Sequence, residues 1–198
     1  MNHYFTRDHF RNKTIKVFIK HFRKYLNLFK NDELDISNKM KSEFASQIAE
    51  KAMKTSIPGT ICPKLDKEPD CKIPHLITKI LADWELKCTT GHSWRGGKYS
   101  KRPGYYVLIS WEEKKEDILV FAARLHMKEE DWDKSKPNKN GEEKYYATSF
   151  DKKKLLEYKN AGKAEILCGD IYHPKYIDKS RGERMNVVNL VREKINLE

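Results

Sequence analysis

The run Ile80-Leu81-Ala82-Asp83-Trp84-Glu85-Leu86-Lys87-Cys88-Thr89-Thr90 sorts its residues into two kinds by position. Successive side chains of a strand point to opposite faces of a sheet. As a strand, this run puts Asp83, Glu85 and Lys87 on one face. Trp84, Leu86 and Cys88 share the other and can pack on a core. Upstream, Cys71 to Leu76 reads as a short strand and Lys79 to Thr89 as the strand that follows it. Pro69-Asp70 stands before the first of them. Fifteen positions carry the chain from Asp70 to Glu85, room for one strand, a tight turn and most of a second strand. Asp70 is therefore expected to return beside Glu85. Pro74 implies that the first strand is an edge or is bent.

Working outward, Tyr105 to Trp111 and Ile118 to Met127 predict a hairpin across the charged turn EEKKED. Gly91 to Gly104 reads as a polar loop rich in Gly, Lys and Arg. Lys134 to Glu143 reads as an exposed loop, and Tyr145 to Phe150 as a further strand. Asp151 is placed to cap a helix through Asn160, ended by Gly162. Ala164 to Cys168 predicts a last strand and Asn186 to Ile195 a final helix. On the N-terminal side, Ile15, Phe18, Ile19, Phe22, Tyr25, Leu26 and Phe29 recur at three- and four-residue steps, which predicts an amphipathic helix over Asn12 to Phe29. Lysines and arginines fill its other faces. Ser37 or Asn38 can cap a second helix from Met40 to Lys54, with Phe44, Ile48, Ala52 and Met53 inward and Pro58-Gly59 ending it. Helices followed by strands and then mixed elements predict one central mixed sheet, α/β or α+β.

The chain has 198 residues, which suits one domain over 1–198: 1–56 mainly helical, 57–198 the core. Its 40 Lys and Arg against 29 Asp and Glu leave a formal charge of +11, a balance that suits a polyanion such as nucleic acid. With 38% hydrophobic residues there is enough apolar material for a core, so wholesale disorder is not expected. No apolar run approaches a membrane span, and Arg124 breaks the longest; no membrane partner is expected. MNHYFTRDHFRNKTIK lacks the apolar core of a secretory signal, and Cys62, Cys71, Cys88 and Cys168 show no CxxC spacing. Reduced thiols in a cytoplasmic protein are the expectation. The histidines form no metal pattern, and the glycines match no nucleotide-binding fingerprint.

Two carboxylates held together repel unless a cation sits between them. A lysine two positions on puts an ammonium beside that cation's water, which is equipment for metal-assisted phosphodiester hydrolysis. Pro69-Asp70 and, fifteen positions on from Asp70, Glu85-Leu86-Lys87 resemble the signature of the PD-(D/E)XK nucleases. DWELKCTT looks most like the type II restriction endonucleases within them. That resemblance implies an α/β restriction-endonuclease-like core, a mixed sheet flanked by helices. It implies Mg²⁺ held by Asp70, Glu85 and the main-chain carbonyl of Leu86, with Lys87 as the catalytic lysine. Asp66 and Asp83 are alternative acids. Glu43 on the preceding helix either supplies the extra acid some relatives have there or is an ordinary exposed helical Glu.

After this strand come His92, Ser93, Trp94, Arg95, Lys98, Tyr99, Ser100, Lys101 and Arg102, with glycines among them. Such residues read base edges or hold phosphates, and the glycines let backbone approach a duplex. Sequence-specific cutting of double-stranded DNA by a small subunit implies a homodimer on a two-fold symmetric site, with the N-terminal helices as candidate dimer contact. A structure-selective or nonspecific nuclease, and a non-enzymatic DNA- or RNA-binding module, stay open as alternatives.

Overall fold

The computed structural model describes residues 3–32, 37–63, 68–91, 93–97, 103–114, 117–133 and 148–169. A short helix α1 (Arg7–His9) runs through a π-helical turn (Phe10–Thr14) into α2 (Ile15–Asn31). The predicted stripe lies inward: Ile15, Phe18, Ile19, Phe22 and Leu26 are buried, while Tyr25 is exposed. Helix α3 (Asn38–Ser56) starts at Ser37, whose hydroxyl accepts the Met40 N–H. It buries Ala45, Ile48, Ala49, Ala52 and Met53, with Phe44 only partly covered.

Five strands form one mixed sheet in the order β1-β2-β4-β5-β7. They are β1 (Cys71–Pro74), β2 (Leu81–Thr89), β4 (Gly104–Lys114), β5 (Asp117–Met127) and β7 (Ala164–Cys168). Strands β2 and β4 run parallel, and the other neighbours are antiparallel. The predicted hairpin is β4–β5, paired from Gly104↔Met127 to Lys114↔Asp117. Alternation along β4 splits the core. Val107, Ile109 and Trp111 join Trp84 and Leu86 under α2 and α3; Tyr106 and Leu108 join a second cluster with Trp94, Trp132, Phe150 and Leu155.

That second face is covered by a small antiparallel sheet, β3 (Ser93–Gly97) with β6 (Thr148–Asp151), and by α4 (Lys152–Asn160). The expectation of a loop over Gly91 to Gly104 is corrected here. Trp94 is fully buried and its indole N–H donates to the Ile109 carbonyl at 2.8 Å, so apolar anchoring makes Ser93–Gly97 a strand. Gly96 permits the close approach, since a Cβ there would stand 2.3 Å from the Thr148 hydroxyl and 3.0 Å from the Trp132 ring. The first two strands of the large sheet are also shorter than expected, because Pro74 ends β1 and β2 starts only at Leu81. The predicted loop over Lys134 to Glu143 and the helix over Asn186 to Ile195 lie outside the described residues.

Arg124, which breaks the apolar run of β5, is wholly buried. Its guanidinium bonds Glu165 on β7 at 2.7 and 3.0 Å, donates to the Phe5 carbonyl and lies over the Phe5 ring. A buried charge needs such partners, and here they tie the N-terminal segment to the sheet. At the other end, the Asp151 carboxylate accepts the Lys154 N–H at 2.8 Å as the α4 cap. Asp151→Ala is expected to cost about 1 kcal/mol, typical of a lost cap, and to lower Tm by about 2–4 °C. An unchanged circular-dichroism melt would remove the cap's contribution.

Candidate active site

The β1–β2 register sets the geometry. Cys71 pairs Trp84 and Lys72 pairs Asp83, so the same register carried one step back puts Asp70 level with Glu85. Strand β1 begins only at Cys71, and the Leu86 N–H is taken by the Asp70 carboxylate at 2.7 Å. On β2 the alternation holds: Trp84 and Leu86 enter the helix-side core, and Glu85 and Lys87 face the other way. The Lys87 ammonium stands 2.8 Å from Glu85 Oε2 and 3.6 Å from Asp70 Oδ2. Asp70, Glu85 and Lys87 thus meet at one point on the edge of the sheet.

Glu85 is only 8% exposed. Burial pushes its carboxyl above the ordinary range, Asp70 pushes it further, and Lys87 opposes both. The two carboxyl groups are close enough to share a hydrogen bond. Burial works against the charge of Lys87, but the attraction of Asp70 and Glu85 outweighs it and the ammonium is held above its usual range.

A third acid, Glu50 on α3, lies within range of these charges. Glu50 is pushed up to about 7, first by burial and then by Asp70 and Glu85, with Lys87 acting the other way. Glu43 is exposed, in keeping with the reading of it as an ordinary helical Glu. The signal for Glu50 was its neighbour Ala49: on a helix whose buried stripe includes Ala49, Ala52 and Met53, Glu50 flanks the packed face. Asp83 is exposed and sits opposite Lys72, whose charge it supports, away from the convergence point. Asp66 lies outside the described residues.

Of the basic segment after β2, Ser93 is half-buried and Arg95 exposed on β3. Trp94 is corrected from a DNA contact to a core residue, because its ring is fully enclosed. His92, Lys98, Tyr99, Ser100, Lys101 and Arg102 lie outside the described residues. The apolar stripe of α2 is spent on this chain's own core, and its outer face lines an open groove of about 570 Å³ with Lys16, Lys20, Arg23 and Lys24. Burial and the charges of Lys51, Lys20 and Lys24 hold His21 below its usual range, so the surface is electropositive. Like charges on two copies would repel through this groove.

Among the described residues, no three His, Cys, Asp or Glu side chains form a ready cage for a metal. Mg²⁺ does not ask for one: it commonly takes one or two carboxylates and completes its shell with water and phosphate oxygens. Asp70 and Glu85 are the right donors for it. Two carboxylates beside one ammonium, with the charge of Glu50 felt by the site, also leave an excess of negative charge that a divalent cation would relieve. The residues fit the ion. Comparison with protein-family models, curated proteins and solved structures finds no match to this chain. Among the described residues, no helix is long and apolar enough to cross a membrane.

Proposed function

We propose that this protein is a Mg²⁺-dependent endonuclease that hydrolyses phosphodiester bonds of double-stranded DNA at a specific site, in the manner of type II restriction enzymes. The observation that carries the reading is the convergence of Asp70 with Glu85 and Lys87, fifteen and seventeen positions further along the chain, at one point on the sheet edge. An ordinary solvated strand face would leave such side chains apart and exposed. Here Glu85 is desolvated against another carboxylate, a costly arrangement that a structural role does not require.

Asp70 and Glu85 would hold Mg²⁺, which supplies charge neutralisation at the scissile phosphate and a more acidic bound water. Asp70 is fixed for this by the Leu86 N–H, and Glu85 by the strand. Lys87 brings a permanent positive charge to the place where the phosphate gains negative charge, and its ammonium can donate to the attacking water. Arg95 and the basic groove of α2 offer phosphate contacts. The two-fold symmetry of a short duplex site leads us to propose a homodimer, through a face other than the groove of α2.

A plasmid digest with Mg²⁺ tests the reading. Discrete fragments support it. A smear points to a nonspecific nuclease, cutting only at branched DNA to a structure-selective one, and intact DNA with a gel shift to a binding module. The groove has its own measurement. Replacing Lys16, Lys20, Arg23 and Lys24 together by Gln is expected to weaken DNA binding alike for all sequences. The slope of log K against log salt should fall by about 0.9 per lost phosphate contact. An unchanged slope would take α2 out of the interface.

A further inference from the structure

Ile61 and Lys72 exchange both backbone hydrogen bonds across an antiparallel bridge, at 3.0 and 2.7 Å. The next pair along must be a non-hydrogen-bonded pair, and that pair is Cys62 and Cys71. In such pairs the Cα atoms stand about 4.5 Å apart and the side chains lean together, which falls within the Cα spacing that disulfides accept. The sulfurs are 2.9 Å from each other. Backbone register and side-chain placement therefore agree without any chain movement being required. Cys71 is buried, while Cys62 is partly open to solvent and donates its S–H to the Glu50 carbonyl. Both flank the acidic cluster: Cys71 follows Asp70 directly, and Cys62 touches the backbone of Glu50.

We propose that Cys62 and Cys71 are a dithiol–disulfide couple, closed by a hydroperoxide and reopened by a dithiol, which staples the chain beside Asp70. The inference does not depend on the nuclease reading. Cys62, the accessible thiol, attacks one peroxide oxygen; the O–O bond breaks, water or an alcohol leaves, and Cys62 becomes a sulfenic acid. The Cys71 sulfur then attacks the Cys62 sulfur, the S–S bond forms, and the sulfenic oxygen departs as water. Two thiols give up two electrons and two protons to the peroxide. A dithiol reductant reverses the change by exchange through a mixed disulfide.

The whole protein is treated with one equivalent of hydrogen peroxide and its intact mass and non-reduced peptide map are recorded. The expected result is a loss of about 2 Da, the two thiol hydrogens, in a peptide linking Cys62 to Cys71, restored by dithiothreitol. Closing so short a loop is expected to raise Tm by about 5–10 °C. Cys62→Ala protein should show neither change. Gain of oxygen mass without a cross-link, a cross-link between molecules, a loss of about 2 Da that persists in Cys62→Ala, or a 62–71 bond that lowers Tm would each overturn the couple. Plasmid cleavage is not read in this experiment, so its outcome and that of the nuclease assignment are told apart.

Discussion

Lys87→Ala protein is expected to bind its DNA at near-normal affinity in Ca²⁺ and to cut at least about a hundred-fold more slowly in Mg²⁺. The ammonium lies within reach of both carboxylates, so it stands where a phosphate held by those acids would develop charge. Removing one positioned electrostatic group from a transition state typically costs on that scale. Lys87→Arg should not rescue the rate, since a planar fork does not replace a compact point charge. The effect on folding has a definite sign with pH. Without Lys87, the carboxyl of Glu85 loses the group that opposes its rise. A carboxyl whose folded pKa is raised loses stability as pH climbs above its unfolded value. The variant should therefore fall further behind wild type as pH rises above the ordinary carboxyl range. Single-turnover cleavage on prebound DNA separates this from a folding defect. Full cleavage by folded Lys87→Ala would sink the nuclease assignment.

What was legible in the sequence was whatever depends on period and short-range chemistry. The two-residue alternation of β2 placed Glu85 and Lys87 on one face and Trp84 and Leu86 on the other. The same logic found the β4–β5 hairpin, the bounds of β7, and the caps at Ser37 and Asp151. The return of Asp70 to Glu85 was legible because a fifteen-residue hairpin has few ways to close. Less legible was anything decided by a distant partner. Trp94 sits among Arg, Lys and Gly, and only the packing of Trp132, Phe121 and Phe150 against it makes that polar segment a strand. Glu43 and Glu50 lie on the same helix with similar neighbours, and which of them meets Asp70 depends on where α3 crosses β2. The lysines of α2 were visible, but whether its apolar stripe would face this chain's core or a second subunit was a tertiary matter.

The burial of like charges bears on the order in which fold and function were satisfied. Asp70 and Glu85 share one ammonium with Glu50 of α3 within range of their charge, and the carboxyls of Glu50 and Glu85 are both raised by burial and by Asp70. Stability alone favours replacing one acid by a neutral residue. Retaining all three is a local conflict of the kind expected at a functional site.

Asp70→Asn converts that conflict into the largest expected effect. The amide oxygen can still accept the Leu86 N–H, so the turn should keep its shape. A carboxylate donor is lost, and with it the charge that holds the cation; cleavage should fall at least about a thousand-fold, several kcal/mol of transition-state stabilisation. The folded protein should change in a second, opposite way. In wild type, burial and the neighbouring acids push Glu50 up to about 7 from an ordinary value of 4.5. Between those values the unfolded chain has released a proton that the folded chain still holds, so stability falls as pH rises through this window. Asp70 contributes part of that rise, and in Asp70→Asn the fall between pH 5 and pH 8 should be shallower. Its partial exposure limits the difference to about 1 kcal/mol. Mg²⁺ completes the test, because an ion that binds the folded state stabilises it by mass action, by about 2.7 kcal/mol at a hundredfold excess over its Kd. Wild type should gain Tm with Mg²⁺, and more at pH 8 than at pH 5, where Glu50 holds its proton. Asp70→Asn should gain little at either pH. Equal Mg²⁺ shifts in the two proteins would remove Asp70 from the metal site, whatever the digest shows.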